Sequence, residues 1–223
     1  MSNNLNKNGA FMLEPGQKLP EEMLEKLNEI NKNYSKTRNF SQYVLALEQL
    51  FKITPILVTE DSKRFLGGFM EGEASMNLSA KKHTNATFGL LLDPEFSITQ
   101  HVNGFRTLHL ALKVFQTGRV RHKAGSNATM VFIIDNRDSL EEKVVPFYET
   151  YVKPFGSPAK VQRLKSFIKL LALFKQDGHR NAAIFRDEML PIWDSMRMQR
   201  GQSNETFASL EEAQRYVTDC SSV

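Results

Sequence analysis

The sequence predicts an α+β protein in which a four-stranded antiparallel sheet is covered on one face by helices. Three observations support this. Helical periodicity changes to a period of two after residue 73, polar turns separate two pairs of strand-like segments, and a helical segment lies between the pairs. The resulting αββαββα order places the helices on one side of the sheet and leaves its other side polar.

Residues 1–58 are predicted to form a helical N-terminal extension. Pro20 suits the first position of a helix that is expected to end by Asn33, because apolar residues recur there at helical spacing. A second amphipathic helix is predicted from Phe40 to Phe51. Neither helix carries a chemical motif, so both are expected to pack against the core.

The core is predicted over residues 59–177 and begins with a helix that ends near Glu73. This helix contains Gly67, Gly68 and Gly72, and each glycine costs about 1 kcal/mol relative to alanine inside a helix. Close approach of a second backbone is the usual compensation, because small residues on one face let two helices touch. The three glycines are therefore predicted to form a dimer interface, although tight packing alone also explains such a pattern.

Two acids, Glu71 and Glu73, close this helix. Acidic side chains are unfavourable at a helix C-terminus, where unpaired carbonyls and the negative end of the dipole lie, unless a cation comes to them. The end of the helix is therefore a candidate metal site.

The first strand pair follows Glu73. Met76, Leu78 and Ala80 alternate with polar residues, which indicates a strand with one wet face. After a polar loop over 81–87, the chain is expected to return as two short strand segments interrupted at Asp93-Pro94, because proline cannot donate to a central ladder. A bulge or a sheet edge is expected there.

A helix is predicted from Val102 to Phe115, followed by a second hairpin. Its arms are Arg119–Lys123, whose cationic residues alternate along one face, and Asn127–Asp135. Helices are then predicted over Ser139–Val152 and Ala159–Phe174.

Residues 178–223 are predicted to be a helical C-terminal extension. One helix should run through Trp193 to Met198, and after a break at Gly201–Asn204 a short final helix should cover Leu210–Val217. All three segments are expected to form one compact unit without an internal repeat.

Composition limits the class of protein. A hydrophobic content of 41% is enough for a core, and no apolar run reaches the length of a membrane span, so no membrane partner is expected. The start resembles no targeting peptide. The single cysteine, Cys220, excludes an internal disulfide and a Cys-based zinc site. A formal charge of +4 is compatible with a polyanionic partner but does not establish one.

Four segments together carry a family resemblance. Leu66-Gly-Gly-Phe-Met-Glu-Gly-Glu-Ala74 resembles the signature helix of the LAGLIDADG homing endonucleases, with glutamate at both acidic positions. Phe96–Gly104, Gly118–Lys123 and Leu190–Asp194 resemble the single-motif enzymes of this family that chloroplast large-ribosomal-RNA introns encode. The similarity extends from about Lys18 to about Gln214.

The resemblance implies a homodimer that uses Mg²⁺, with Mn²⁺ or Ca²⁺ able to replace it for binding, to cut double-stranded DNA. The implied target is a long pseudo-palindromic site in an intronless large-subunit rRNA gene, cut across the minor groove to leave short 3′ overhangs. It also implies a chloroplast location, with mitochondrion and bacterial cytoplasm as alternatives. An intron-splicing maturase and a non-cleaving DNA-binding protein of the same fold remain open.

Residue roles also follow from the resemblance. Glu73 matches the metal-binding acid, and the carbonyl of Gly72 is a second implied ligand. Gln100 matches a strand-end residue that positions active-site water, although a plain strand-end hydrogen bonder is the alternative. Lys160 aligns with a basic residue near the scissile phosphate.

Four further positions qualify these roles. Arg163 or Lys165 could replace Lys160 in the alignment. Some relatives carry an arginine four residues after the glutamine, where this chain has Gly104, and Asn103 is a possible substitute.

DNA contacts are expected from the polar strand faces, because a two-stranded ribbon fits the major groove, where base edges can be distinguished. A solvated edge that discourages aggregation is the alternative for the basic strand. The predicted contacts are Ser75, Asn77, Ser79, Lys81, Lys82, Glu95, Ser97, Thr99, Arg119, Arg121, Lys123, Asn127 and Thr129.

Overall fold

The computed structural model of the chain describes residues 11–197 and 206–221. The strands are β1 (Ala74–Lys82), β2 (Leu90–His101), β3 (Arg119–His122) and β4 (Thr129–Ile134). The helices are α1 (Glu21–Thr37), α2 (Phe40–Phe51), α3 (Glu60–Glu73), α4 (Phe105–Phe115), α5 (Arg137–Ser139), α6 (Val145–Tyr151), α7 (Pro158–Lys175), α8 (Ala182–Ile184), α9 (Leu190–Met196) and α10 (Leu210–Ser221). Wider π-helical turns, Leu140–Val144 and Phe185–Met189, connect α5 to α6 and α8 to α9, and 3₁₀ turns cover Val102–Gly104 and Gly178–Arg180.

The four strands form one antiparallel sheet in the order β1-β2-β4-β3. The predicted α+β class and four-stranded antiparallel sheet are confirmed. Both hairpins join neighbouring strands, and the two hairpins meet where Phe96 of β2 pairs with Ile134 of β4. Strands β1 and β3 are therefore the edges, and β3 carries Arg119 and Arg121.

The face of the sheet that packs on the helices is apolar, as the alternation in β1 predicts. Met76, Leu78 and Ala80 are buried, and Phe96 and Phe132 continue this layer on β2 and β4. The buried residues of the core and of both extensions form one continuous hydrophobic cluster. Hydrophobic burial therefore fixes which face of the sheet points away from the helices.

Strand β2 is continuous, so the predicted interruption at Asp93-Pro94 is wrong. Pro94 pairs with Leu78 of β1, whereas pairing with β4 begins only at Phe96. One edge of β2 is therefore unpaired at Pro94, and proline is tolerated where its missing N–H breaks no ladder. The expectation of an edge position was right, and the bulge was unnecessary.

The N-terminal extension covers the outer edge of β3. The Asn31 side chain donates to the Val120 carbonyl at 2.9 Å, and the Tyr43 hydroxyl accepts the Val120 N–H at 2.7 Å. Unpaired edge groups would otherwise invite association with another chain. Helix α1 continues to Thr37, beyond the predicted end at Asn33, with Pro20 as its N-cap.

The C-terminal extension packs against β1 through α9, and α10 packs on α9. Helix α10 extends to Ser221, beyond the predicted Val217. The predicted break at Gly201–Asn204 and the predicted helix end at Met198 lie outside the described residues. Within the described ranges, none of the helices combines the length and apolar character that crossing a bilayer requires.

Candidate active site and DNA interface

Helix α3 presents one exposed glycine face. A Cβ atom added to Gly68 or Gly72 would meet nothing within 4 Å, so both positions leave room for a second backbone. Gly67 differs, because a Cβ there would lie 2.6 Å from the Tyr151 carbonyl oxygen of α6. Gly67 therefore serves packing within the chain, and its place at a dimer interface stays a prediction.

Exposed aromatic side chains flank this glycine face. Phe65 is 58% exposed and stacks on Phe69 with ring centroids 6.5 Å apart, and Phe155 is 90% exposed on the loop between α6 and α7. A groove of about 560 Å³ lies between Phe155 and the glycine face, and both Gly67 and Gly68 line it. An apolar surface of this kind beside open glycines is typical of an interaction surface.

Glu73 is the last residue of α3. Its side chain is exposed and makes no hydrogen bond or ion pair within the part of the chain that the structure describes. The carbonyl of Gly72 lies in the final turn, where helix carbonyls lack intrahelical partners. A carboxylate and a carbonyl are the oxygen ligands that Mg²⁺ accepts, so the donor set fits a divalent ion.

A single chain supplies few such ligands. Among residues 11–197 and 206–221, no group of three or more histidine, cysteine, aspartate or glutamate side chains could hold an ion. Glu73 is one carboxylate, which cannot hold an ion by itself. Mg²⁺ sites often consist of one or two carboxylates completed by phosphate and water, so a bound DNA phosphate could supply the missing ligands.

Helix α7 brings Lys160 to the end of α3. The Lys160 ammonium donates to the Met70 carbonyl at 3.3 Å and to the Ala74 carbonyl, so it lies among the residues that flank Glu73. Burial lowers the pKa of Lys160, and the charge of Glu71 opposes this effect. The lysine therefore places a positive charge at the negative end of the helix dipole.

The two alternatives to Lys160 occupy different positions. Arg163 donates through Nε to the Met76 carbonyl at 2.5 Å, one turn further along α7, and burial lowers its pKa. Lys165 is exposed. Of the three basic residues, the described contacts place Lys160 nearest to the residues around Glu73.

Gln100 lies near the end of the sheet at which β1 begins, directly after Glu73. Ala74 pairs with Ile98, so Gln100 lies two residues beyond the partner of the first residue of β1. The Gln100 side chain accepts the His101 N–H at 2.8 Å and packs against Gly104, where an added Cβ would be 2.6 Å from the Gln100 side-chain carbon. Glycine at position 104 therefore makes room for this glutamine.

Asn103 does not replace the arginine that some relatives carry at the position of Gly104. Its Oδ1 accepts the Leu13 N–H and its Nδ2 donates to the Leu13 carbonyl, both at 2.8 Å. The side chain holds the segment before α1, so the suggested substitution is wrong.

The face of the sheet opposite the helices combines hydrogen-bonding and charged side chains. On β1 and β2, Ser75 donates to Asn77 at 2.7 Å and Asn77 donates to Ser97 at 3.2 Å. Register places Arg119 and Arg121 on this same face, because their partners on β4 pair with Ser97 and Thr99. We call this surface the polar sheet face.

Acids neutralise part of the polar sheet face, which is less cationic than the sequence suggests. Lys81 bonds to Asp93 at 2.9 Å, and Arg119 contacts Asp135 through two hydrogen bonds of 3.0 and 2.6 Å. The contact with Arg119 lowers the pKa of Asp135. Burial raises the pKa of Glu95. Asp93 and Asp135 were not among the residues predicted for this face, although each lies two residues along from a cross-strand partner of a basic residue.

The remaining predicted contacts lie in three different environments. Arg121, Lys123 and Asn127 are exposed, and Ser79, Thr99 and Thr129 are partly exposed. On β4 this face is apolar, because it carries Val131 and Ile133, which are both buried. Lys82 lies out of phase, with its ammonium 5.3 Å from the Phe207 ring and 5.0 Å from the Tyr216 ring, so it is separated from the polar sheet face.

Comparison with known proteins identifies the family of this chain. The model described as "LAGLIDADG endonuclease" matches residues 66–170. DNA endonuclease I-CeuI from Chlamydomonas moewusii is 57% identical over 207 residues, which cover 93% of this chain and 95% of that protein. The chain belongs to the LAGLIDADG endonuclease family.

Two solved structures of homing endonucleases show how far the likeness extends. The intron-encoded homing endonuclease I-CeuI in complex with DNA matches with a TM-score of 0.90 and 56% identity, over 92% of this chain and all of that one. The archaeal enzyme I-Vdi141I in complex with DNA matches with a TM-score of 0.64 and 23% identity, over 74% of this chain and all of that one. The second likeness concerns the fold alone.

The region that matches the LAGLIDADG family model contains Glu73, Gln100 and Lys160 and leaves out both helical extensions. The match to I-CeuI covers the extensions as well. The extensions thus accompany the LAGLIDADG core in at least one relative.

Proposed function

We propose that this chain is a homing endonuclease that cuts both strands of an intronless large-subunit rRNA gene and thereby starts the transfer of its intron. One observation carries the proposal. Glu73 stands exposed at the end of the open glycine face of α3, with no hydrogen-bond or ion-pair partner among the residues that the structure describes, and Lys160 is held among the residues that flank it. A carboxylate and an ammonium beside an open surface are suited to binding a metal ion and a phosphate.

Two copies of the chain are required in this proposal. Joining two α3 helices through Gly68 and Gly72 would bring two Glu73 carboxylates and two Gly72 carbonyls together at a two-fold axis. The exposed Phe65 and Phe155 would then be covered. A two-fold assembly also matches a long pseudo-palindromic DNA site.

The residues of the chain would divide the work of cleavage. Glu73 and the Gly72 carbonyl would hold Mg²⁺, which Mn²⁺ or Ca²⁺ could replace for DNA binding. The ion would stabilise charge on the phosphate and on its leaving oxygen. Lys160 neutralises charge on the scissile phosphate, and Gln100 orients water. Cleavage across the minor groove leaves short 3′ overhangs.

The polar sheet face would lie in the major groove. Arg121 and Lys123 are exposed and suited to guanine or phosphate, while Asn77 and Thr99 offer further donors and acceptors. Contacts to phosphate supply affinity, and contacts to base edges supply specificity.

A plasmid assay tests the proposal. The purified chain is incubated with a plasmid that carries an intronless large-subunit rRNA gene, with Mg²⁺ and then with excess EDTA. We expect a single linear product that requires the metal, with 3′ overhangs when its ends are mapped. Sedimentation of the complex should give two chains per duplex.

Other outcomes distinguish other functions. Tight DNA binding without metal-dependent linearisation indicates a non-cleaving DNA-binding protein, and stimulated splicing of the intron RNA without DNA cleavage indicates a maturase. We propose the chloroplast as the location, and a similar enzyme from an alga is consistent with this.

A further inference from the structure

The carboxylate of Glu71 ties the end of α3 to the beginning of α7. Its Oε1 accepts the Ser157 N–H at 3.0 Å. Ser157 is the N-cap of α7, and its hydroxyl accepts the N–H of Lys160 at 3.4 Å. The contact is therefore less than one helical turn from the residue whose ammonium reaches the active site.

Lys160 makes a second contact between the two helices, from its side chain on α7 to the end of α3. Its ammonium donates to the carbonyls of Met70 and Ala74, which stand immediately before Glu71 and immediately after Glu73. Glu71 thus holds the backbone of α7, and Lys160 holds the backbone of α3. Each contact limits the movement that would break the other.

The other oxygen of Glu71 has an unusual environment. Glu71 Oε2 is buried and has no hydrogen-bond partner among the described residues. A buried acceptor without a partner is unfavourable. Two positive features near it offset part of this cost, namely the N-terminus of the 18-residue helix α7 and the ammonium of Lys160.

We propose that Glu71 is a positioning residue for DNA cleavage. It holds the first turn of α7 against the end of α3, so that the ammonium of Lys160 stays beside Glu73. The inference rests on the proposed function, because it explains what the first acid of the signature helix does for that site. The proposal gives Glu71 no contact with the phosphate or the metal.

The first test separates cleavage from binding. Glu71→Gln keeps the size of the side chain but replaces the charged acceptor of the Ser157 N–H with a neutral one, which weakens that hydrogen bond. We expect the single-turnover cleavage rate at saturating DNA to fall about 10- to 100-fold, as is typical when a residue that orients an active-site group is changed. The dissociation constant for DNA should change by no more than about twofold. Glu22→Gln, an exposed acid on α1, is the matched control and should cleave like the wild type.

A double-mutant cycle distinguishes positioning from general destabilisation. If Glu71 acts through Lys160, Glu71→Gln should slow a Lys160→Ala enzyme no further. A purely structural role for Glu71 would slow both enzymes by the same factor. Equal slowing would overturn the inference.

Two substitutions at Ser157 isolate the hydrogen bond itself. Ser157→Ala removes the hydroxyl and keeps the N–H that Glu71 accepts, whereas Ser157→Pro removes both. The φ angle of Ser157 is −58°, which proline adopts without strain. We expect Ser157→Pro to reproduce the slow cleavage of Glu71→Gln and Ser157→Ala to cleave several-fold faster than Ser157→Pro. Equal rates for the two Ser157 variants would contradict the role of this bond.

A final measurement does not depend on cleavage. Acetic anhydride labels lysine amines, and peptide mass spectrometry gives the labelling rate at Lys160. Released from its two carbonyls, the Lys160 amine should become accessible to the reagent and label several-fold faster in Glu71→Gln and Ser157→Pro than in the wild type or Glu22→Gln. A wild-type chain that fails to cut its target would refute the proposed function, and the labelling rates would still decide the inference. Unchanged labelling of Lys160 in Glu71→Gln would overturn it.

Discussion

Glu48 and His109 form a buried hydrogen bond between α2 and α4. The Glu48 Oε1 and His109 Nε2 atoms are 2.8 Å apart, and His109 has no exposed surface. Helix α2 belongs to the N-terminal extension and α4 to the core, so this bond joins the two. The other ring nitrogen of His109, Nδ1, has no partner among the described residues.

The stability of the protein should depend on the protonation of His109. Burial lowers the pKa of His109 below 6.5, and Glu48 opposes this only in part. As the pH falls below about 6.5, the unfolded chain binds a proton that the folded chain does not, so the free energy of unfolding decreases. Urea unfolding between pH 8 and pH 5 measures this. The decrease should be smaller in His109→Gln, and an identical pH dependence in the two proteins would disprove the assignment.

Glu73→Gln should abolish DNA cleavage and leave DNA binding largely intact. The substitution removes the carboxylate charge that we assign to metal binding, and a loss of at least about 1,000-fold corresponds to roughly 4 kcal/mol of transition-state stabilisation. Plasmid linearisation and an electrophoretic mobility shift measure the two properties. Glu149→Gln on α6 is the control. Cleavage by Glu73→Gln at the normal rate would show that Glu73 has been misassigned.

Alanine at the neighbouring positions Gly67 and Gly68 should have opposite effects on the folded chain. Gly67→Ala places a methyl group 2.6 Å from the Tyr151 carbonyl and should destabilise the fold by about 1–3 kcal/mol. Gly68→Ala meets open space and should stabilise the helix by up to about 1 kcal/mol. Thermal unfolding of both variants measures this contrast.

Gly68→Ala should also weaken dimer formation, because its methyl group would separate two α3 helices. Analytical ultracentrifugation should therefore show a higher dimer dissociation constant for Gly68→Ala. A dimer of unchanged affinity would place the interface elsewhere on the chain.

Asp135→Asn should strengthen binding to DNA of unrelated sequence. Asp135 holds the guanidinium of Arg119 through two hydrogen bonds, so removing its charge frees Arg119 for phosphate and reduces repulsion. We expect affinity to increase by a factor of about 3 to 10, close to 1 kcal/mol. Fluorescence anisotropy with a random duplex at fixed salt measures the change, and Glu149→Gln controls for net charge. An affinity that stays the same or falls would mean that Arg119 takes no part in DNA binding.

Local pattern predicted most of the secondary structure but misjudged several ends. The period-two alternation after Glu73 predicted β1 and its buried face, because each inward side chain is apolar. Asp93-Pro94 misled the prediction, since whether a proline breaks a ladder depends on which neighbouring strand reaches it. That information belongs to the pairing of β2 with β4.

For the candidate site, too, some features follow from the sequence and others only from the tertiary structure. The sequence determined the helix with its three glycines and terminal acids, because spacing along one helix is a local property. Only the tertiary structure decided that Gly67 packs on Tyr151, that Lys160 reaches the end of α3, and that Arg119 is already bound by Asp135. These contacts join residues from different elements, and their partners are set by packing and strand register rather than by spacing along the chain.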